Sequence, residues 1–369
     1  MARQPESEAP AETIEYHGPE FHGPETEVAQ DWDRLSAYLS DQGHGLSREK
    51  PPRQFVSGMG NLNYLLHLDG EPAVLRRPPL GPIPPGANDM KREHRILSVL
   101  WQAFPLAPRA FLFCDDEGVL GAPFFIMEYR PGLVITGALP EALGGRPAIS
   151  RQLTEMMVGV LAELHAVDPA AVGLDSFGRP EGFLARTVEG WRKRSAIAAD
   201  GEAPPVARAI SDWLRAHLVP EQTPALLHND FKLNNIILDP KTLEPIAVVD
   251  WDQGTRGDPL FDFATFLSYW IEPDDPPAMR EMGQMPSAME PSFPKRKEVV
   301  ALYARLSGRD LSDFLFHRVL GMFKLCVIFM QLGQRYRLGA TKDPRYARLS
   351  EVADGLLEFT HDIAQGRAF

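Results

Sequence analysis

The stretch from His228 to Asp252 constrains the chain most, because it combines two short apolar runs with many polar side chains. The runs "NIIL" and "IAVVD" flank the turn sequence "DPKTLEP", a pattern typical of two paired strands. Asn235 begins the first run and Asp250 ends the second, so antiparallel pairing brings both to one edge. If Asn235 lies directly opposite Asp250, their Cβ atoms are about 5 Å apart; a turn of this length also permits a shifted register.

A carboxylate and an amide oxygen at one strand edge suit a hard divalent cation. Mg²⁺ takes oxygen ligands and commonly uses one or two protein groups together with phosphate oxygens and water. Asp230, on the loop that leads into the same edge, could accept a proton from an attacking hydroxyl. Phosphoryl transfer needs little more than such a group, Mg²⁺ and cationic donors over the phosphates. The pattern therefore predicts a phosphoryl-transfer site built on Asp230, Asn235 and Asp250.

The neighbouring polar residues also have structural interpretations. An isolated Asp-x-x-x-x-Asn pattern is common, so the prediction depends on the whole order of loop, strand, turn, strand and "DWD". We interpret His228 as a buried orienting residue rather than a proton carrier. Asp258 and Asp262, in "GDPLFDFA", are expected to cap a turn or helix and to brace a loop rather than to bind metal.

The rest of the sequence divides into a strand-rich part and a helical part. Residues 1–30 are rich in Glu, Pro and Ala and are predicted to form a disordered acidic tail. Residues 31–129 contain strand patterns, a hairpin turn at Asp69–Gly70 and one long helical pattern, which predict a β-rich lobe. Residues 130–369 are mainly helical and are predicted to form a second lobe. A cleft between two lobes is a common ligand site.

Composition excludes few classes of function. The net charge of −12 disfavours a nucleic-acid partner, but nine acidic residues lie in the first 35, so the excess says little about a substrate. Two distant cysteines suggest neither a disulfide framework nor a zinc site. The apolar stretch "VLGMFKLCVIFMQLG" is interrupted by Lys324 and is short for a bilayer span. We therefore expect a cytoplasmic protein without a membrane partner, of unknown oligomeric state.

These motifs together resemble the aminoglycoside phosphotransferase (APH) family of the protein-kinase-like superfamily. "HNDFKLNN" resembles the H-x-D-x-x-x-x-N catalytic loop of the family, and "VVDWDQGTRGDPLFDFA" resembles its metal-binding segment. The resemblance, which extends from about Gln54 onward, implies an α+β, bilobal protein-kinase-like fold with an antiparallel β-rich N-lobe and a mainly helical C-lobe. It also implies that residues 31–129 form the nucleotide-binding lobe and residues 130–369 the catalytic and substrate-binding lobe. The implied cofactors are ATP and Mg²⁺, with Asp230 and Lys232 as catalytic residues and Asn235 and Asp250 as Mg²⁺ ligands.

The resemblance also implies a set of nucleotide-binding residues: Gly58, Gly60, Asn61, Arg76, Glu93, Glu128 and Tyr129. "FVSGMGNLNYLL" resembles the phosphate-covering loop, although its glycines are not regularly spaced. "AVLRR" resembles the strand that carries a phosphate-binding lysine, which is Arg76 in this chain. Glu93 matches the helix glutamate that pairs with that cation. "FFIMEYRPG" resembles the linker whose backbone would hydrogen-bond adenine.

We expect a kinase that transfers the γ-phosphoryl group of ATP to a small-molecule hydroxyl. The alternative is a pseudokinase-like nucleotide-binding module that acts through a partner, which Arg76 favours; a protein acceptor ranks low. "QFVSGMGNLNYLL", "VLRRPP" and "REHRIL" are most similar to kinase-like domains fused to acyl-CoA dehydrogenases, which implies a hydroxylated acyl acceptor. The basic run of residues 192–194 is typical of a solvated helix face, with an anionic ligand as the alternative. The choice between ATP and GTP stays open.

Overall fold

A five-stranded antiparallel sheet forms the N-terminal lobe of the computed structural model. The structure describes residues 16–56, 60–81, 88–282, 285, 290–340 and 344–369. The strands of the sheet are β1 (Arg53–Gln54), β2 (Leu62–Leu68), β3 (Glu71–Arg77), β4 (Ala110–Cys114) and β5 (Phe124–Glu128), in the order β1-β2-β3-β5-β4. Asp69 and Gly70 have φ values of +54° and +90° and join β2 to β3, which confirms the predicted hairpin turn.

Three helices accompany this sheet in the described part of the lobe: α1 (Trp32–Asp41), α2 (Met90–Leu97) and α3 (Glu117–Leu120). Asp89 caps α2 by accepting a hydrogen bond from the backbone N–H of Arg92 at 2.9 Å. Met90, Ile96 and Leu97 are buried and fix the helix against the sheet. The long helical pattern predicted here ends at Leu97 and continues as a 3₁₀ turn over Leu100–Gln102.

The predicted disordered tail over residues 1–30 needs a correction, because residues 16–30 lie against the sheet. Phe21 bridges to Phe55 beside β1, and their rings stack with centroids 5.1 Å apart. The backbone N–H of Val28 donates to Gln54 Oε1 at 2.7 Å. The acidic, Pro-rich composition therefore did not indicate that aromatic rings attach part of this segment to the edge of the sheet. Residues 1–15 lie outside the described residues.

Helices make up most of the C-terminal lobe. They are α4 (Pro147–Ala166), α5 (Phe183–Ala198), α6 (Pro205–Ala216), α7 (Pro259–Ser268), α8 (Pro277–Glu281), α9 (Arg296–Ser307), α10 (Phe314–Arg337) and α11 (Leu349–Ala364), with 3₁₀ turns at Ala170–Val172, Leu233–Asn235 and Pro344–Tyr346. Two small sheets pair β6 (Ala225–Leu227) with β9 (Thr255–Gly257) and β7 (Ile236–Leu238) with β8 (Pro245–Val248). A β-rich lobe followed by a helical lobe confirms the predicted α+β bilobal fold.

Helix α10 is the apolar stretch that the sequence analysis judged short for a bilayer. Its 24 residues are long and apolar enough to cross a membrane by length and composition alone. However, 78% of its most apolar window is buried inside the protein, against helices such as α7 and α11. This burial is typical of the core helix of a globular domain.

The linker after β5 fixes the two lobes to each other. The Arg130 guanidinium donates to the carbonyl oxygens of Pro105 at 2.6 Å and Ile246 at 3.0 Å, which belong to different lobes. Leu133 and Leu238 exchange two backbone hydrogen bonds of 2.8 Å, which attach the start of the C-lobe to β7. The hairpin of β7 and β8 is therefore held directly beneath the N-lobe.

Candidate active site

The β7–β8 hairpin places Asn235 and Asp250 at the same edge, but one residue out of the predicted register. Ile236 pairs with Val248, and the backbone N–H of Val249 donates to the Asn235 carbonyl at 2.9 Å, so Asn235 lies opposite Val249 rather than Asp250. A bulge near the turn shifts the pairing along the hairpin. Asp250 then follows the strand in a left-handed conformation, with φ of +71°.

Asp230 lies at the start of this edge with both carboxylate oxygens occupied. The Lys232 ammonium donates to Oδ1 at 3.0 Å and to Oδ2 at 2.8 Å, and the Tyr269 hydroxyl donates to Oδ1 at 3.1 Å. Burial opposes ionisation of this carboxyl, but the charge of Lys232 outweighs it and holds the pKa of Asp230 below its ordinary value. Asp230 is therefore an ionised carboxylate that can accept a proton.

Asn235 is oriented by the same loop. Its side-chain nitrogen donates to the Asp230 carbonyl oxygen at 2.8 Å. Because the amide is planar, this bond directs the amide oxygen away from the Asp230 backbone and leaves it as the acceptor. The 3₁₀ turn over Leu233–Asn235 carries the side chain to the strand edge.

Asp262 braces the loop that carries Asp230. Its carboxylate accepts the backbone N–H groups of His228 at 2.6 Å and Asn229 at 2.7 Å. Asn229 has φ of +64°, a conformation that asparagine tolerates better than most residues. Asp258 caps α7 by accepting from the Leu260 backbone N–H at 2.9 Å. The structure confirms the expected capping and bracing roles of Asp258 and Asp262.

His228 is a neutral orienting residue. The backbone N–H of Asp230 donates to His228 Nδ1 at 3.2 Å, so Nδ1 acts as an acceptor. The other ring nitrogen, Nε2, lies 3.0 Å from the Val249 carbonyl and serves as the donor. Burial lowers the pKa of this imidazole, which stabilises the uncharged form. His228 therefore ties the loop to the hairpin, as predicted.

Arg76 links the N-lobe to the metal-binding segment. Its Nε donates to Glu93 Oε2 at 2.8 Å, and its Nη2 contacts Asp250 Oδ1. The other oxygen of Glu93 accepts the backbone N–H of Trp251 at 3.0 Å. Burial disfavours the charge of the guanidinium, but Glu93 and Asp250 outweigh it and raise the pKa of Arg76. The predicted pairing of Arg76 with Glu93 is present, and Asp250 extends it.

The acidic side chains of this segment provide the chemistry of a cation site. Burial, together with the charges of Asp250 and Glu93, raises the pKa of Asp252 to about 7. Within the described residues, no group of three or more His, Cys, Asp or Glu side chains forms a site that could hold a metal alone. A site of two protein oxygens completed by phosphate fits Mg²⁺ and does not require such a group.

The predicted nucleotide-binding loop is described only in part. Gly58 lies outside the described residues. The side-chain nitrogen of Asn88 donates to the Gly60 carbonyl at 3.3 Å and to Asn61 Oδ1 at 2.8 Å. The end of the loop is therefore attached to the start of α2, and the Asn61 side chain is already occupied by a protein contact.

The linker region offers fewer backbone groups to a nucleotide than predicted. The backbone N–H of Glu128 donates to the Arg109 carbonyl at 2.9 Å, and the Glu128 carboxylate accepts from Arg130 at 2.9 Å. The backbone N–H and the side chain of Glu128 are therefore already occupied by protein contacts.

Two residues of the site had no signal in the sequence. Tyr269 donates to Asp230 and lies beneath the Lys232 ammonium, 5.0 Å from the ring centroid. Lys324 reaches from α10 to donate to the Asn229 carbonyl oxygen. Tyr269 follows α7 directly, and Lys324 stands in the long apolar run of α10. A helical pattern predicts which face is buried but not which side chain reaches a distant loop.

The chain is similar in sequence to known proteins. The family model described as "APH: Phosphotransferase enzyme family" matches residues 52–298. Acyl-CoA dehydrogenase family member 11 of Gallus gallus is 32% identical over 330 residues, which cover 86% of this chain and 41% of that protein. The chain spans 29% to 42% of the length of curated relatives of this kind.

Solved structures share the fold. A candidate aminoglycoside phosphotransferase from Ralstonia eutropha has a TM-score of 0.75 and 25% identity, over 92% of this chain and 99% of that one. The aminoglycoside phosphotransferase APH(4)-Ia, in a ternary complex with AMP-PNP and hygromycin B, has a TM-score of 0.51 at 15% identity, over 88% and 98% of the two chains. The second likeness shows the fold alone.

Proposed function

The chain belongs to the APH phosphotransferase enzyme family, and from that premise we propose that it transfers the γ-phosphoryl group of ATP to a hydroxyl of a small molecule, with Mg²⁺. The observation that carries the proposal is the Asp230 carboxylate, kept ionised by Lys232 beside Asn235 and Asp250. A kinase site needs a proton acceptor next to a cation-binding edge.

In this mechanism Asp230 orients the acceptor hydroxyl and takes its proton on a carboxylate oxygen. The Tyr269 hydroxyl and the Lys232 ammonium hold that carboxylate in position. Asn235 and Asp250 would hold the Mg²⁺ ion, which supplies neutralising charge to the phosphates when bound. The transferred group would lie beside Asp230, which the Lys232 ammonium contacts. Lys232 would therefore also supply positive charge near that group.

Arg76 takes the place of the usual phosphate-binding lysine. Its guanidinium has an additional donor, Nη1, which contacts Asn63 Oδ1 at 3.2 Å. Arginine presents its donors in a rigid fork that matches phosphate oxygens. Glu93 fixes Nε, so the outer face of the fork points to the cleft in which Asp250 lies.

The acceptor that we favour is a hydroxylated acyl compound. Two observations support this choice: the relatives are named as acyl-CoA dehydrogenase family members, and the cleft beside Asn229 contains the aromatic side chains of Trp191 and Phe261. An acyl chain gains about 0.8 kcal/mol for each CH₂ group that it buries against such surfaces.

The test is acceptor-dependent release of ADP. Purified protein with Mg²⁺ and ATP is assayed against hydroxyacyl-CoAs, hydroxy acids, sugars, choline and aminoglycosides, with Asp230→Asn as the control for contaminating kinases. We expect a hydroxylated acyl compound to stimulate ADP release and the product to gain one phosphate by mass spectrometry. A panel in which no hydroxyl compound is phosphorylated by the wild type would refute the proposal.

A second candidate function is nucleotide binding without turnover, and the Arg76–Asp250 contact favours it. That contact occupies an oxygen of the proposed metal ligand. In this case the protein binds ATP with an affinity that Mg²⁺ does not change, and no acceptor releases ADP. Calorimetric titration of ATP with and without Mg²⁺ separates the two functions.

A further inference from the structure

A cavity of about 650 Å³ opens beside the catalytic loop. Asn229 and Asp252 form its inner end, next to Asp230, while α5 and α10 supply its outer walls. We call this cavity the basic pocket. Asn229 precedes Asp230 in the chain, so a molecule bound here would lie beside the catalytic loop.

Cationic side chains dominate the polar lining of the basic pocket. They are Arg92, Arg179, Arg186, Arg194, Arg335 and Lys324. Asp252 is the single acidic side chain among the lining residues. In a chain with a net charge of −12, this local excess of positive charge is opposite to the overall balance. A cationic ligand would therefore meet repulsion here, whereas an anionic ligand would be attracted.

Lys324 is the buried member of this set. Only 3% of the residue is exposed, and its ammonium donates to the Asn229 carbonyl oxygen. No carboxylate of the described residues lies within ion-pair distance of it. Burial lowers the pKa of Lys324 to about 8 despite the charges of Asp230 and Asp262. A buried ammonium with three donors and a single carbonyl partner has capacity for an anionic oxygen.

The arginines nearest the mouth are already oriented. The Arg194 guanidinium lies 4.6 Å from the centroid of the Trp191 ring, and the Arg186 guanidinium donates to the carbonyl oxygens of Glu181 and Arg179. Neither arginine has a carboxylate partner in the described part of the chain. Their charges are therefore fixed in place but not neutralised.

Part of the remaining wall is apolar. Phe183 and Phe261 contact each other with ring centroids 5.6 Å apart, and Ile328 and Leu332 follow Lys324 along α10. A ligand that fills the basic pocket displaces water from both walls. The cationic wall then needs an anionic partner and the apolar wall an apolar one, so such a ligand combines negative charge with an apolar segment.

We propose that the basic pocket binds an amphiphilic anionic acceptor, and that Lys324 contacts an anionic oxygen of this acceptor beside the hydroxyl that faces Asp230. The proposal rests on the phosphotransferase function given above. It adds that the acceptor is negatively charged and that Lys324 contacts this charge. Lys324 is thus a specificity-determining residue for the acceptor rather than for the nucleotide.

The experiment compares acceptors that differ in charge at constant chain length. The probes are a hydroxyoctanoate, its neutral amide and its coenzyme A thioester, each assayed for ADP release by the full chain. Lys324→Met preserves the length and volume of the side chain but removes its charge. Lys193→Met, an exposed position on α5 outside the pocket lining, is the matched control.

We expect the wild type and Lys193→Met to prefer a charged acceptor over the amide by about tenfold or more, the usual effect of one charge-assisted hydrogen bond. Lys324→Met should abolish this preference, because it should raise KM for the charged acceptor more than KM for the amide. A preference for the free acid assigns the anion to a carboxylate, and a preference for the thioester assigns it to coenzyme A phosphates. An equal preference in wild type and Lys324→Met would overturn the proposal.

Two further measurements keep the outcome decisive. Arg194→Gln, at the exposed mouth, tests the charge of the pocket if Lys324→Met does not fold, and it should lower the same preference. If no acceptor releases ADP with the wild type, the function fails, and calorimetric binding of the three probes then tests the pocket alone. Binding of the anionic probes that Lys324→Met weakens supports the pocket; equal or absent binding refutes it.

Discussion

The two sides of the catalytic loop differ in how their buried cations are balanced. On the nucleotide side, Arg76 is held by the carboxylates of Glu93 and Asp250. On the acceptor side, Lys324 has a backbone carbonyl as its partner and no carboxylate within ion-pair distance in the described residues. The first cation is positioned before any ligand arrives, whereas the second has unused capacity for an anion. We therefore expect Arg76 to hold the site together and Lys324 to contribute to the choice of ligand.

The largest effect is expected at Asp230, which lies between the two sides. Asp230→Asn keeps the shape of the side chain but removes the proton acceptor and the partner of Lys232. The turnover rate should fall by about 10² to 10⁴, the range for a general base. ADP formation with the best acceptor measures it, and Asp212→Asn on α6, 71% exposed, is the control. A rate within threefold of the wild type would remove Asp230 from the chemistry.

Substitutions of Arg76 test the nucleotide side, where the cation is paired with carboxylates. Arg76→Met leaves Glu93, which is fully buried, without its cation and should cost about 3–5 kcal/mol of unfolding free energy. Arg76→Lys can keep the contact with Glu93 but cannot reach Asp250 with a second donor, so we expect stability near that of the wild type and a KM for ATP about tenfold higher. Urea unfolding and nucleotide titration measure the two effects. Equal stability of Arg76→Met and the wild type would mean that the pairing is not needed.

The pH dependence of stability tests the brace that both sides share. Burial opposes ionisation of Asp262, but His165 holds the pKa of this carboxyl below its ordinary value of 3.8. A carboxyl whose pKa falls on folding stabilises the protein above the unfolded pKa, and the contribution is lost as pH drops through the folded pKa. The wild type should therefore lose unfolding free energy below about pH 4.

Asp262→Asn cannot titrate, so it should be less stable at pH 7 by about 1–3 kcal/mol and lose less of its stability in acid. Denaturant unfolding at pH 7 and near pH 3 measures both values. Parallel losses in the variant and the wild type would show that Asp262 does not contribute to the acid sensitivity.

The smallest effect is expected at Tyr269. Tyr269→Phe removes the hydrogen bond to Asp230 Oδ1 but keeps the ring beneath Lys232. Lys232 also holds both oxygens of this carboxylate, so we expect the loss of the Tyr269 hydrogen bond to lower turnover by only about fivefold. Tyr336→Phe, near the C-terminal end of α10, provides the control in the same assay. An unchanged pH–rate profile and rate would show that Lys232 alone positions the carboxylate.

The sequence predicted those parts of the site that depend on local order along the chain. The loop from His228 to Asn235 and the following hairpin have a fixed spacing, so their polar residues converge in any antiparallel pairing. Asn229, within this loop, has a positive φ, which asparagine tolerates better than most residues. The Asp69–Gly70 turn was predictable for the same reason, because a two-residue turn constrains its own residues.

The features that sequence reasoning missed depend on packing over a distance. The register of β7 and β8 differs by one residue from the predicted one, and the bulge between Ile237 and Leu238 is a feature that no local motif encodes. Helix α7 was not predicted, since all ten of its residues are buried and an all-round apolar helix has no amphipathic period. Lys324 stands on α10, where its charge was interpreted only as an interruption of an apolar run.

Glu93 has a further consequence for control of the site. Its carboxylate joins α2 to the Arg76 side chain with one oxygen and to the Trp251 backbone with the other. An outward tilt of α2 would break both hydrogen bonds together. The Arg76 side chain and the Trp251 backbone would then lose their positions at the same time, and not one after the other. A molecule that displaces α2 from the sheet would therefore disrupt the position of Arg76 without contacting Asp230.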